Sequence, residues 1–501
     1  MKNEQYIMAI DEGTTSVRAI LFNHQGQEIG RSQKEIKQIF PNPGWVEQDA
    51  NEIWNKTESV ISDVLFQTET QPYKVRSIGI SNQRETTVVW NKTTGKPIYN
   101  AIVWQSKQTN DLTKQIKQQG LADKIQQTTG LIIDSYFSAT KIRWILDQVP
   151  GAQELAETGD LLFGTIDTWL LWKLTAGKVH ATDVTNASRT MLFNINQLKW
   201  DQELLDIFNI PKKMLPQVEE SSHIYGYTQN FTFMGVQIPI SGIAGDQQAS
   251  LFGQLALDPG MTKNTYGTGA FIMMNLGDKP KFSQRGLLTT IAYGINGKVY
   301  YAFEGSIFIA GAAIQWLKDE LKLIDDVTKT AEMAAAANDE PLFVVPAFTG
   351  LGAPYWNENV RGSILGITHH TGINEIVKAT LESLAFQTKD VINTMTEETQ
   401  VPLNSLVIDG GVSKNDFLMQ FQADILDQSI ERSATAESTA LGAAFLAGLA
   451  VGYWKEIDEL KAIKPVGKSF NAKMAETKRI QLYHNWKNAI KATETFEENN
   501  K

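Results

Sequence analysis

The 501-residue chain contains no cysteine. That absence excludes a disulfide framework, a thiolate metal site and a cysteine nucleophile, and it fits a reducing cytoplasm. Histidine is scarce. His24, His180, His223, His369, His370 and His484 show no paired metal-ligand spacing, and neighbours such as His369 and His370 do not share a helix face. No G-x-x-x-x-G-K-[ST] segment occurs and no H-R-D or D-F-G set, which excludes a P-loop enzyme and a protein kinase. No basic stripe offsets the net charge of −10, so a nucleic-acid or membrane-surface partner is not expected. Long apolar runs are missing too. Residues 1–10 run into a strand-like segment with no basic n-region or small-residue cleavage site. Residues 438–454 fall slightly short of the roughly 20 needed for a membrane span, and they are built from Ala and Gly, which reads as a packed core helix.

What is present is globular. Hydrophobic residues make up 42% and charged residues 20%, enough to bury a large core, and at about 100–200 residues per domain the length predicts two to four domains. Residues 6–11 form a short apolar strand, residues 12–16 a turn and residues 17–22 a second strand, with residues 24–27 turning into a third. Strands joined so tightly are antiparallel. Residues 77–80 and 162–165 are also strand-like, and residues 375–395 place Val377, Leu381, Leu384, Val391 and Met395 at helical spacing. The class is α/β with some antiparallel strands. The opening pattern recurs at residues 262–274, a strand, a Gly/Thr turn and a strand, which suggests two related domains. A turn at Asp258-Pro259-Gly260 places the boundary near residues 254–260, giving units of 1–254 and 255–501. The polar tail, residues 494–501, is expected to fray.

Five groups of residues can carry chemistry. In the first turn, Gly13 permits a tight bend, Thr14, Thr15 and Ser16 supply hydroxyls and amides, Arg18 can fork onto phosphate oxygens and Asp11 can hold Mg²⁺. An ordinary hairpin turn has similar residue preferences. The second Gly/Thr turn, residues 265–269, offers the same chemistry from the other half, so the pair could clamp a polyphosphate. Residues 406–411 end in Gly410-Gly411 and lead through Asn415 into a helix, a place where a flat ring could approach the backbone, although a Gly-Gly turn is more often only a turn. Asp246, in Gly245-Asp246-Gln247-Gln248, is either a general base or the cap of a following helix over residues 247–255. Finally, Arg84 and Glu85, with Trp104 and Tyr136 further on, offer a donor fork, an acceptor and an aromatic wall suited to a polyol. A surface ion pair is the plainer reading of Arg84 and Glu85.

Together these segments resemble the carbohydrate kinase family that includes glycerol, xylulose, gluconate and fucose kinases, over nearly the whole chain from Tyr6 to about Trp454. Residues 136–144 (YFSATKIRW) and 305–317 (GSIFIAGAAIQWL) look like its two signatures. Residues 43–47 (PGWVE), 81–87 (SNQRETT), 100–105 (NAIVWQ) and 350–356 (GLGAPYW) look like the subgroup that phosphorylates glycerol. The resemblance implies two ribonuclease-H-like domains of the actin, hexokinase and Hsp70 ATPase fold, with ATP and Mg²⁺ in an interdomain cleft. It implies transfer of the ATP γ-phosphate to glycerol, with Asp246 as base. Arg84, Glu85, Tyr136, Asp246 and Gln247 would bind the glycerol hydroxyls, and Trp104 and Phe271 its carbon face. Thr14, Thr15, Ser16, Arg18, Thr268, Gly311, Gln315, Gly411 and Asn415 would hold the nucleotide, and Asp11 and Asp246 would lie near Mg²⁺. A homodimer or homotetramer in the cytoplasm is expected. A kinase for another small polyol or sugar, and a non-catalytic ATP-binding module, are the alternatives. Two positions depart from the family. Glu12 stands where relatives commonly have Gln, a carboxylate that would repel a triphosphate unless it points away or meets the metal. Thr232, within residues 230–235, stands where some relatives carry a regulatory His, so no histidine-phosphoryl activation is expected in that loop.

Overall fold

The computed structural model describes residues 4–229 and 231–498; Asn230, named with the Thr232 loop, and residues 499–501 of the tail lie outside the described residues. The tail up to that point is not frayed. Its residues complete a helix, Glu476–Glu498.

Two mixed sheets organise the chain, and they share one plan. In the first, Tyr6–Glu12, Ser16–Phe22 and Glu28–Glu35 form an antiparallel meander, and Val75–Asn82 and Pro239–Gly245 extend it in parallel from the Tyr6–Glu12 side. Ser222–Tyr227 closes that edge antiparallel. In the second, Met261–Tyr266 pairs antiparallel with Ala270–Gly277, which pairs with Lys298–Ile307, while Ser405–Asp409 and Ile430–Arg432 extend it in parallel. Leu288–Ile295 and Lys468–Phe470 close the two ends. The recurrence of the hairpin in the sequence is therefore a recurrence of a five-strand core, three antiparallel strands extended by two parallel ones. Parallel neighbours need crossover connections, and helices supply them and cover both faces.

The central strand Tyr6–Glu12 is buried along its full length because both of its faces are covered. Its side chains alternate: Met8 and Ile10 pack with Trp54, Val60, Ile61 and Trp169, whereas Ile7 and Ala9 face the other half of the molecule. Trp54, Val60 and Ile61 belong to Ala50–Gln67, a helix begun by Asp49, whose side chain accepts from the Asn51 N–H at 2.8 Å. In the second sheet Ile272 and Met274 face the helices Ile373–Thr399, Asp416–Leu426 and Glu476–Glu498, and Met273 faces inward.

Between the sheets lie two helices, Asp246–Gly253 and Ser438–Ala450. The second is the Ala/Gly segment read as a core helix. Its closeness to the first depends on glycine: a Cβ on Gly442 would sit 1.8 Å from the Ala249 carbonyl oxygen, and one on Gly253 2.0 Å from that of Ser438. A helix late in the sequence thus backs the first sheet and seats the helix that begins with Asp246. Among the described residues no helix is long and apolar enough to cross a membrane.

Candidate active site

The C-terminal ends of parallel strands collect the chemistry, as open α/β sheets generally arrange. Glu12, Asn82 and Gly245 are register partners at the ends of three adjacent strands. Each leads directly into a segment singled out above: the Thr/Ser turn, Gln83-Arg84-Glu85 and Asp246. In the second sheet Thr265 and Asp409 are register partners, so the second Gly/Thr turn and Gly410-Gly411 lie side by side.

Arg84 is buried and is no surface ion pair. Its Nε lies 3.2 Å from Asp246 Oδ1, Nη1 2.5 Å from Glu304 Oε2, and Nη2 3.3 Å from the Tyr136 hydroxyl. Asp246 keeps its side chain about one-third exposed to the cleft. It is the first residue of its helix. Gly245 is the cap position, so the capping alternative for Asp246 does not hold. Its Oδ1 accepts from the Gln247 N–H at 2.7 Å. The indole N–H of Trp104 donates to Thr14 Oγ1 at 2.9 Å, and the Trp104 ring meets those of Tyr136 and Phe271 edge-on at 5.6 and 6.5 Å. This gives an aromatic wall beside a set of fixed donors and acceptors.

Glu85 is buried with φ +60°, an uncommon conformation for a residue with a side chain. Ser138 Oγ donates to its carbonyl at 3.0 Å, and Arg189 Nε donates to its Oε1 at 2.6 Å. Burial pushes the Glu85 carboxyl up against the pull of Arg189 and Arg84. In Glu304 burial also works upward, but the two guanidiniums win and hold it at about 2.

The first Gly/Thr turn is the charged one. Arg18 Nη2 lies 2.9 Å from Asp11 Oδ2 and Nη1 2.7 Å from Glu437 Oε2, and its side chain stays 28% exposed at the turn. Burial raises the Asp11 carboxyl to about 6; Arg18 opposes this, while Glu437 and Asp246 add to it. Glu12 points neither to solvent nor into the cleft. It is fully buried, Gln83 Nε2 donates to its Oε1 at 3.1 Å, and burial pushes its carboxyl well above the usual range. The neutral acid is the form such a site favours, which removes the expected repulsion.

The second turn is open and neutral. Gly267 and Thr268 are exposed, and the Thr268 carbonyl accepts from the N–H groups of Ala310 and Ala312, tying the turn to the start of the Gly311–Asp319 helix. Gln315 lies exposed on that helix, bonded to Asp319 at 2.7 Å. Gly410, not Gly411, is the glycine the backbone demands: its φ is +88° and a Cβ would meet the Tyr266 carbonyl oxygen at 2.2 Å, whereas Gly411 faces open space. Asn415 caps the Asp416–Leu426 helix through the Leu418 N–H at 3.0 Å.

Sequence reading missed four residues. Arg189 and Glu304 are fully buried charges. Lys263, also buried, donates to Gln247 Oε1 and, at 3.0 Å, to Thr265 Oγ1; burial lowers it to about 8 against the pull of Asp409 and Asp246. Lys141 donates to the carbonyls of Ser135, at 2.7 Å, and Tyr136, and so fixes the loop that presents Tyr136. The signal was a lone charge inside an apolar strand, as at Glu304 in Lys298–Ile307, since a buried charge demands partners. Thr232 sits in a short 3₁₀ turn and bonds Glu58 Oε1 at 3.0 Å.

Among the described residues no group of three carboxylate or imidazole side chains could hold a metal ion. Mg²⁺ typically takes one or two carboxylates and completes its shell with phosphate oxygens and water, and Asp11 and Asp246, near enough for the second to raise the first, are a pair of that number.

This fold and cleft define a class. The N-terminal domain of the FGGY family of carbohydrate kinases matches residues 6–253, and its C-terminal domain matches residues 262–451. The chain belongs to that family, and it is an enzyme with two α/β domains of the actin, hexokinase and Hsp70 ATPase fold. Within the family it is 60% identical to the glycerol kinase of Streptococcus pneumoniae (strain Hungary19A-6) over 499 residues, 99% of each chain. The crystal structure of Plasmodium falciparum glycerol kinase with ADP matches with a TM-score of 0.93 at 37% identity, over 98% of each chain. Ligand-bound xylulose kinase from Lactobacillus acidophilus matches in fold, with a TM-score of 0.87 at 22% identity over 99% of this chain and 98% of that one.

Proposed function

We propose that the chain transfers the γ-phosphoryl group of ATP to a terminal hydroxyl of glycerol, giving sn-glycerol 3-phosphate. The observation that carries this reading is that Arg84 lies within hydrogen-bonding reach of both Tyr136 and Asp246, with the Trp104 and Phe271 rings beside Tyr136. Three hydroxyls on a three-carbon chain require such alternation of donors, acceptors and apolar wall.

In this reading Arg84, Glu85, Tyr136 and Gln247 orient glycerol, and Asp246 accepts the proton of the attacking hydroxyl. Thr14, Thr15, Ser16 and Thr268 contact the phosphates, and Gly311, Gln315, Gly411 and Asn415 border the adenosine. Arg18 joins them at the phosphates and also holds Asp11. Mg²⁺, seated by Asp11 and Asp246, neutralises phosphate charge during in-line transfer. Approach of the two halves, 1–254 and 255–501, excludes water and limits ATP hydrolysis. The family's habit points to a homodimer or homotetramer, and the lack of cysteine to the cytoplasm.

The test is ADP release from Mg²⁺-ATP with glycerol, dihydroxyacetone, erythritol, xylulose or no acceptor. Glycerol should give by far the highest rate. A higher rate with another acceptor would reassign the substrate, and acceptor-independent ADP release would remove the kinase reading.

A further inference from the structure

Four charged side chains lie under the acceptor site in one closed circuit. Glu304 Oε1 accepts from Arg84 Nη2 at 3.1 Å and from Arg189 Nη2 at 3.0 Å, so a single carboxylate oxygen bridges two guanidiniums. Arg189 continues to Glu85 through Nε at 2.6 Å, and Glu85 returns toward Arg84 Nε at 3.9 Å. All four side chains are at most 2% exposed. The Arg189 guanidinium also lies over the Tyr136 and Phe137 rings, 5.6 and 5.3 Å from their centroids. The members have different origins. Arg84, Glu85 and Arg189 belong to the first half of the chain, whereas Glu304 comes from Lys298–Ile307 in the second sheet.

Burying four charges is a poor route to stability, because desolvation offsets most of the attraction. What the circuit supplies is geometry. Two guanidiniums repel unless an anion lies between them. The Glu85 backbone holds a left-handed conformation that the surroundings must enforce. Glu304 fixes the spacing of the arginines, and Arg189 fixes the Glu85 carboxylate and the Tyr136 ring.

We infer that Glu304 and Arg189 are positioning residues for the acceptor: they hold Arg84, Glu85 and Tyr136 in the arrangement that selects a triol, and Glu304 makes that arrangement dependent on contact between the two sheets. The inference rests on the glycerol reading above. With Glu304 neutralised, Arg84 keeps Asp246 at 3.2 Å as its nearest full charge and is drawn toward it, out of the position that the circuit fixes. A displacement of about 1 Å in a positioning group can cost roughly a hundredfold.

Steady-state kinetics on the full chain test this with Glu304→Gln and Arg189→Lys. Glu304→Gln keeps the shape without the charge, and Arg189→Lys keeps the charge without the fork. Both should lower kcat/KM for glycerol on the order of a hundredfold, mainly through KM, narrow the preference for glycerol over dihydroxyacetone and erythritol, and leave ADP affinity unchanged by calorimetry. The control is Asp390→Asn. Asp390 is an equally buried carboxylate that accepts from Tyr355, Tyr483 and Trp486 at 2.7, 2.6 and 2.7 Å and pins the last helix. That variant should lose melting temperature and keep the acceptor KM. Folded variants with wild-type kcat/KM for glycerol, or with equal losses for glycerol and ATP, would overturn the inference. If Glu304→Gln does not fold, the same criteria are applied to Arg189→Lys. Wild-type protein without glycerol-dependent ADP release would overturn the acceptor reading itself, and that result is read before any variant is made.

Discussion

The turn after Glu12 and the turn after Tyr266 join the first two strands of their respective sheets, and Trp104 reaches both hairpins, at Thr14 and at Phe271. Around the first stand Asp11, Arg18 and Glu437, locked together at 2.9 and 2.7 Å. Around the second there is no ion pair among the described residues; Gly, Thr and the backbone of a helix start form the turn, and the charges nearby, Lys263 and Asp409, are buried at its base. The same hairpin thus occurs twice as a cradle of amides and hydroxyls, and only the first is bracketed by ion pairs at its surface. Polyphosphate binding needs donors on both sides. Metal and base chemistry needs carboxylates on one side only, close to the acceptor.

If charge in the first half carries the chemistry, its removal must cost far more than loss of a donor in the second. Asp246→Asn should lower kcat by about 10²–10⁴ while ADP affinity by calorimetry stays near wild type; near-wild-type turnover would dissolve the contrast between the halves. Asp11→Asn should lower kcat by about 10²–10³. The same variant gives a pH test on the ligand-free protein. Folding raises the Asp11 carboxyl from 3.8 to about 6, so its favourable contribution is present below about pH 4 and lost as pH rises through 6, a penalty of about 3 kcal/mol. Asp11→Asn should therefore melt higher than wild type at pH 8 and lose that advantage at pH 4; an advantage equal at both would contradict the burial argument. Thr268→Ala removes one neutral, exposed donor and should weaken ADP binding by about 1 kcal/mol with kcat little changed. A loss as large as that of Asp11→Asn would show the second turn to be more than a cradle. Least affected is Glu12→Gln, which should leave turnover at pH 7 near wild type. Because the Glu12 carboxyl is raised on folding, wild-type stability declines as pH climbs above the ordinary glutamate range, and the variant's melting temperature should decline less steeply.

Much of this was legible in the chain. The two hairpins, the long helix through residues 375–395 and the core helix at 438–450 follow from period, turn residues and composition, because each is a local pattern. Arg84, Trp104, Tyr136, Asp246 and Phe271 were legible through family motifs and do come together. Arg189, Glu304 and Lys263 were not, because their importance lies in partners up to 220 residues away, as Arg84 is from Glu304. The engagement of Arg18 was hidden for the same reason: Glu437 lies 419 residues downstream. The placing of Glu12 stayed open in the sequence because the side of the turn on which a side chain lies depends on strand pleat and the covering layer, here Gln83.

The glycine-mediated seat between Asp246–Gly253 and Ser438–Ala450 bears on how the protein comes into being. On a ribosome the first half emerges first and begins to fold while the rest is still being made. Residue 246 leaves the exit tunnel long before residue 442, so the helix that starts with Asp246 has no bed until nearly nine-tenths of the chain has been translated. A nascent or truncated molecule lacks both the layer that covers the inner face of its first sheet and the partner that seats the helix of the aspartate. The seat of the candidate base is thereby completed only near the close of synthesis.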